Sequence, residues 1–127
     1  MATSSSPSVT LVKLAGAVLT DKSIPNTLRP EVLTRLVGEV TSAWKETGEY
    51  LVIGHGAGSF AHVPAAHYDT MNGFKDEYSR LGMAIVQDSA AQLNRLVVRE
   101  FLKHDVPAVS SCASSSAVTK SKALQTY

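Results

Sequence analysis

Two apolar segments of this chain each run into a turn built from small residues. Residues 9–19 are almost continuously apolar and carry one charge, Lys13, which predicts a buried parallel strand. Residues 50–53 form a second apolar strand that leads into residues 55–62, with the sequence His-Gly-Ala-Gly-Ser-Phe-Ala-His. Turns without bulky side chains let backbone N–H groups approach an anion closely. Two such turns beside lysine and histidine predict a site that holds two phosphates near each other.

Helical spacing of apolar residues predicts two helices that alternate with these strands. Residues 32–44 carry apolar side chains at helical intervals, Pro30 suits the first turn, and Gly48 supplies the end. A longer helix is predicted from about 78 to 103, and residues 106–111 are predicted as a third strand. This order predicts an α/β fold with a parallel sheet covered by helices. Ligands of such sheets bind at the carboxyl ends of strands, where both turns lie.

Composition narrows the class of protein. The 127 residues carry a formal net charge of +1, from twelve Lys/Arg against eleven Asp/Glu, which argues against a nucleic-acid surface. The single cysteine, Cys112, excludes an intramolecular disulfide, fits a reducing compartment, and is expected to be a small buried residue.

The two ends of the chain are expected to lie outside the folded domain. Residues 1–8 are polar and serine-rich, which predicts a disordered tail rather than a signal peptide, and residues 113–127 predict a weakly patterned tail. No apolar run approaches the ~20 residues that span a bilayer.

Other chemistries fit the turns less well. No Gly-Lys-Ser/Thr follows the second turn. A hydrolase nucleophile elbow needs glycine on both sides of its serine, and Ser59 is followed by Phe60 and Ala61. The histidine spacings do not make a compact metal site, so no metal ligands are predicted. Of His55 and His62, one is expected to pack against the protein and the other to face a ligand.

The two motifs resemble those of a known family. Residues 13–22, Lys-Leu-Ala-Gly-Ala-Val-Leu-Thr-Asp-Lys, are similar to the Lys-Gly-Gly-Ser opening of the amino acid kinase superfamily. The Thr-Asp-Lys ending is typical of its isopentenyl phosphate kinase branch, and residues 55–62 resemble that branch's His-Gly-x-Gly-Ser-Phe-Gly-His motif. The resemblance runs from about residue 9 to 109. It implies a three-layer αβα sandwich of the amino acid kinase type, of which residues 9–112 form the N-terminal, phosphate-acceptor part with a short parallel sheet.

The resemblance also implies an activity. The family transfers a phosphoryl group from ATP, with Mg2+, to isopentenyl phosphate and so makes isopentenyl diphosphate for isoprenoid biosynthesis. We then expect a cytoplasmic protein that has no nucleic-acid partner and no membrane span. A homodimer is one of the assemblies that such a protein can form. The alternative is a non-catalytic shortened homologue that binds a phosphorylated ligand or a protein partner.

Site residues follow from the resemblance position by position. The groups implied in catalysis are Lys13, Lys22 and His62. ATP would be bound by Lys13 and by the backbone of Ala15, Gly16, Ala17 and Gly58. The acceptor would be bound by Gly56, Ala57 and His62, with an apolar wall from Met83, Ile85 and Val86.

Three alanines depart from the family motifs. Ala15 and Ala61 replace glycines, and Ala17 replaces the serine. Where a glycine position needs positive φ, a methyl group is expected to cost about 1 kcal/mol. The family's nucleotide-binding half has no counterpart in these 127 residues.

Overall fold

The protein is described from a computed structural model, which covers residues 8–121 and 123–126. Apart from Ser8, the predicted N-terminal tail lies outside the described residues. Strand β1 (Val9–Leu14) pairs in parallel with β2 (Tyr50–His55), in a register that sets Val9 opposite Tyr50 and Leu14 opposite His55. The two strands therefore end together, and the turns that follow them share one edge of the sheet.

The crossover between the strands contains two helices. Helix α1 (Gly16–Leu19) is a single turn, and α2 (Pro30–Thr47) is the predicted amphipathic helix. Pro30 occupies its first turn, where a missing N–H costs nothing, and Gly48 follows it at φ +66° in the left-handed region. Both predicted ends of α2 are confirmed.

The second half of the chain is mainly helical. Helix α3 (Ser59–His67) follows the second turn, and the long α4 (Glu77–Lys103) confirms its prediction to within one residue. The carboxylate of Asp76 accepts the Ser79 N–H at 2.8 Å and so caps α4. Two 3₁₀ turns (Thr70–Asn72 and Ala113–Ser115) and an antiparallel hairpin of β3 (Val118–Lys120) and β4 (Ala123–Thr126) complete the described elements.

The predicted third parallel strand, residues 106–111, is wrong. The Val106 N–H bonds to the Phe101 carbonyl at the end of α4, and the Ala108 N–H bonds to the Val106 carbonyl within the segment, so neither donor is available to a neighbouring strand. Pro107 has no N–H to offer. Within the described residues the parallel sheet therefore has two strands, β1 and β2.

Helices α2 and α4 pack against each other over one face of the sheet. Eight buried apolar residues form this core: Leu14, Leu19, Leu33, Val37, Phe60, Leu93, Val97 and Phe101. Across the same helix pair, Thr34 donates to the buried carboxylate of Glu100 at 2.8 Å. This core fixes α4 alongside the carboxyl end of β2.

The opposite face of the sheet is apolar and exposed. Alternation along the strands places Val9, Leu11, Tyr50 and Val52 there, between 51% and 70% exposed. The predicted α/β class with a short parallel sheet is confirmed, and the described residues cover it with helices on one face.

The cysteine and the hydrophobicity of the helices can be compared with the expectations from composition. Cys112 is exposed, so the expectation that it is buried is wrong; it lies in the irregular segment after α4 rather than in a core strand. Among residues 8–121 and 123–126, none of the helices has the length and hydrophobicity required to cross a bilayer.

Candidate functional site

The two small-residue turns are in direct contact. A Cβ on Gly16 would meet the Gly58 nitrogen and lie 2.8 Å from the Gly56 carbonyl oxygen, and a Cβ on Gly56 would lie 2.8 Å from the Gly16 nitrogen. Neither glycine has room for a side chain, because the two backbones interlock. The predicted neighbourhood of the turns follows from the parallel register of β1 and β2.

A buried threonine connects the two turns through hydrogen bonds. The Thr20 hydroxyl donates to the Gly16 carbonyl at 2.7 Å and accepts the Ser59 N–H at 3.0 Å. Thr20 is fully buried, and the side chain of Ser59 in turn accepts the Thr27 N–H at 3.3 Å. Gly58 lies between them at φ +52°, a conformation that favours glycine.

Four backbone amides of the turns make no hydrogen bond within the described part of the chain. They belong to Gly16, Ala17, Ala57 and Gly58. Gly16 and Gly58 are buried, and buried amides are nearly always paired, so these unpaired donors are suited to an anionic ligand. The turn before α3 adds the positive end of that helix, which further favours negative charge.

The predicted cationic residues lie around these turns. Lys13 is in β1 opposite Gly54, and Lys22 follows α1; both are exposed, and neither takes part in an ion pair among the described residues. His62 is exposed on the first turn of α3, where its N–H bonds to the Gly58 carbonyl at 3.2 Å. All three lie on segments that lead into or out of the two turns.

The three alanine departures fit the backbone without strain. Ala15 has φ −66° and ψ 131° before α1, Ala17 lies in α1, and Ala61 lies in α3. None of them adopts positive φ. The cost expected for a methyl group at these positions is therefore not incurred.

An apolar cavity of about 420 Å³ opens beside the second turn, between α4 and the segment that follows it. Its lining is His55, Met83, Val86, Gln87, Ala90, Ala91, Asn94, Ser110, Ser111, Cys112, Ala113 and Ser114. Of the predicted apolar wall, Met83 and Val86 line the cavity, and Ile85 lies off it. The sequence interpretation missed Asn94 as a lining residue, although its spacing from Met83 and Val86 matches one face of a helix.

His55 is the packed histidine of the second motif. Asn94 Nδ2 lies 3.0 Å from His55 Nε2, and the Ser110 hydroxyl donates to Asn94 Oδ1 at 2.5 Å. His55 is half-buried by these contacts, whereas His62 is exposed. The sequence had left open which of the two histidines packs and which faces a ligand.

Local hydrogen bonds shift two titratable groups near the site. The hydroxyl and then the backbone N–H of Ser23 lower the pKa of Asp21, which keeps it ionised beside Lys22. At the mouth of the cavity, the hydroxyls of Ser114 and Ser115 lower the pKa of the Cys112 thiol.

The residues present offer anion donors rather than a metal cage. Within residues 8–121 and 123–126, no three His, Cys, Asp or Glu side chains lie close enough together to hold a metal ion. The donor set of amides, lysines and histidine matches phosphate oxygens.

Comparison with known proteins finds isopentenyl phosphate kinases among the relatives of this chain. The chain is 28% identical to the isopentenyl phosphate kinase of Methanocaldococcus jannaschii over 114 residues, which cover 84% of this chain and 44% of that protein. It is 33% identical over 105 residues to the isopentenyl phosphate kinase of Methanothermobacter thermautotrophicus, covering 79% and 38%. A solved isopentenyl phosphate kinase structure superposes with a TM-score of 0.82 at 29% identity, covering 93% of this chain and 49% of that one.

The chain thus spans less than half the length of each of these relatives. Nearly the whole of this chain, residues 8–125, matches the amino acid kinase family. The chain belongs to the amino acid kinase family.

Proposed function

We propose that this chain carries the acceptor-phosphate site of an isopentenyl phosphate kinase, which phosphorylates isopentenyl phosphate to isopentenyl diphosphate at the expense of ATP. The observation that carries the proposal is the pair of interlocked turns with four unpaired amides beside an apolar cavity. A phosphate with a short hydrocarbon tail needs donors for its phosphate and, directly beside them, an apolar cavity for its tail.

The acceptor's two parts match two parts of the site. Its phosphate would accept the N–H groups of Ala57 and Gly58, with His62 as a further donor. The Gly56 N–H already bonds to the Leu14 carbonyl at 3.0 Å, so Gly56 would contribute its lack of a side chain beside the phosphate rather than a donor. Its tail would lie in the cavity against Met83 and Val86, where apolar surface is removed from water. Ile85 is left out of this proposal because it does not line the cavity.

ATP would supply the transferred phosphoryl group, together with Mg2+. The chain would hold the nucleotide phosphates through Lys13 and through the backbone at Ala15, Gly16, Ala17 and Gly58. The acceptor nucleophile is already an anionic phosphate oxygen, so the protein needs no strong general base. What these residues do is position the two phosphates and neutralise their repulsion, with Lys22 placed to balance charge during transfer.

Calorimetry with isopentenyl phosphate tests the acceptor site directly. Gly58→Ala should weaken binding at least tenfold, because its Cβ would press on Thr20 and lie 2.6 Å from the Gly16 carbonyl oxygen. Gly73→Ala is the matched control: it also has positive φ, +81°, but its Cβ meets nothing within 4 Å. Equal affinity for the two variants, or no binding by the wild-type chain, would refute the proposed site.

A coupled assay with ATP separates the two functions that the sequence left open. Turnover of isopentenyl phosphate, lost on Lys13→Met, supports the kinase activity. Binding without turnover at high protein concentration would support the alternative, a ligand-binding homologue that does not catalyse the transfer.

A further inference from the structure

A line of three polar side chains runs from the segment after α4 to the second glycine turn. The Ser110 hydroxyl lies 2.5 Å from Asn94 Oδ1, Asn94 Nδ2 lies 3.0 Å from His55 Nε2, and His55 Nδ1 lies 3.4 Å from the Gly56 carbonyl oxygen. These groups come from α4, from β2 and from an irregular segment, far apart in sequence. The proposed function does not use Asn94 or Ser110.

The chemistry of each group fixes the direction of these bonds. An amide oxygen only accepts, so Ser110 donates to Asn94 Oδ1 and the amide nitrogen faces the ring. An amide nitrogen only donates, so His55 Nε2 must carry its lone pair toward Asn94. The ring proton then lies on Nδ1, which faces the Gly56 carbonyl.

This tautomer acts on the peptide that joins Gly56 to Ala57. In a planar trans peptide the carbonyl of one residue and the N–H of the next point in opposite directions. A ring N–H that attracts the Gly56 carbonyl toward His55 therefore turns the Ala57 N–H away from it. That N–H is one of the four unpaired amides of the candidate site.

We propose that Asn94 is a positioning residue for phosphate binding: it holds His55 in the Nδ1–H tautomer and thereby orients the Gly56–Ala57 peptide. The part of this proposal that concerns phosphate rests on the proposed function. The part that concerns the tautomer and the peptide does not.

Nitrogen NMR of the side chain of His55, at a pH where the ring is neutral, tests the tautomer without any ligand. The wild-type chain should show Nδ1 protonated. Asn94→Asp offers only acceptor oxygens at the same positions, so the proton should move to Nε2, and the Ala57 amide resonance should shift with it. Gln92→Glu makes the same amide-to-carboxylate change on an exposed turn of α4, where Gln92 contacts Asp88, and should change neither signal.

Binding of isopentenyl phosphate then tests the positioning role. Asn94→Asp and the uncharged, similarly sized Asn94→Leu should each bind about tenfold more weakly than Gln92→Glu, since neither supplies the N–H that holds His55 in its Nδ1–H tautomer. Weakening by Asn94→Asp alone would indicate charge repulsion and overturn the role. An Nε2–H tautomer in the wild-type chain, or an Ala57 amide that ignores Asn94→Asp, would overturn the orientation of the peptide.

These outcomes also separate this inference from the proposed function. If the tautomer and the Ala57 amide respond as expected but the wild-type chain does not bind isopentenyl phosphate, the proposed substrate is wrong and the orientation of the turn stands. If the wild-type chain binds and Asn94→Leu binds equally well, the proposed function stands and the positioning role fails.

Discussion

Gly16→Ala should both destabilise the fold and separate the two turns. The added Cβ would meet the Gly58 nitrogen and lie 2.8 Å from the carbonyl carbon and oxygen of Gly56. All three are backbone atoms of an interlocked turn, so no flexible side chain can move aside. Overpacking of this kind costs about 1–3 kcal/mol, and we expect a value near 2 kcal/mol here. For a chain of this size that corresponds to a fall in Tm of roughly 6–10 °C.

Gly54→Ala provides the matched control. Gly54 lies in β2, two residues before Gly56, also without positive φ, and its Cβ would meet nothing within 4 Å. Its free energy of unfolding should stay within about 0.5 kcal/mol of the wild type. Urea unfolding followed by the fluorescence of Trp44, which is half-buried on α2, measures both variants. Equal stability of the two variants would refute the inference that the turns interlock.

Two titratable groups give further predictions. Lys103 and Thr34 hold the pKa of the Glu100 carboxyl below 4.5. Their contribution to the free energy of unfolding is therefore present above pH 4.5 and is lost as the pH falls through the lowered pKa of Glu100. Glu100→Gln should therefore cost about 1 kcal/mol at neutral pH in urea titrations, and this cost should shrink as the pH falls below 4.5; a pH-independent difference would contradict this. The exposed Cys112 thiol, whose pKa Ser114 lowers most, should react with iodoacetamide faster than in the urea-unfolded chain. Ser114→Ala should slow that reaction, and identical rates by mass spectrometry would count against the effect.

The helices could be predicted because their signals are local. The ends of α2 are encoded by Pro30 and Gly48, and α4 has an apolar period long enough to fix its extent. The strand expected at residues 106–111 failed because strand pairing is not local. An apolar segment becomes a strand only if a neighbouring strand offers backbone groups for it to hydrogen-bond. Pro107 makes such pairing less favourable because it has no N–H to donate.

The glycine turns could be placed from the sequence, and the network behind them could not. Small residues that follow two adjacent parallel strands meet at one edge of the sheet when the strands end together, as Gly16 and Gly58 do. The bond between Asn94 and His55 depends on how α4 lies over that edge, which no spacing encodes. Ile85 is a different case: residues two apart face different sides of a helix, so periodicity alone excludes it from a wall shared with Met83.

The apolar pattern of β1 indicates how many faces of the sheet are covered, as well as that the segment is a strand. In a sheet with one face in water, outward positions are expected to be polar. In β1 both sets of positions are mainly apolar: Leu14 is 5% exposed in the core, and Leu11 is 70% exposed on the other face, beside Val52 of β2. A sequence of this kind is suited to a sheet covered on both faces, as in a three-layer αβα arrangement. The pattern that made β1 recognisable as a parallel strand therefore specifies two helical layers, of which the described residues form one.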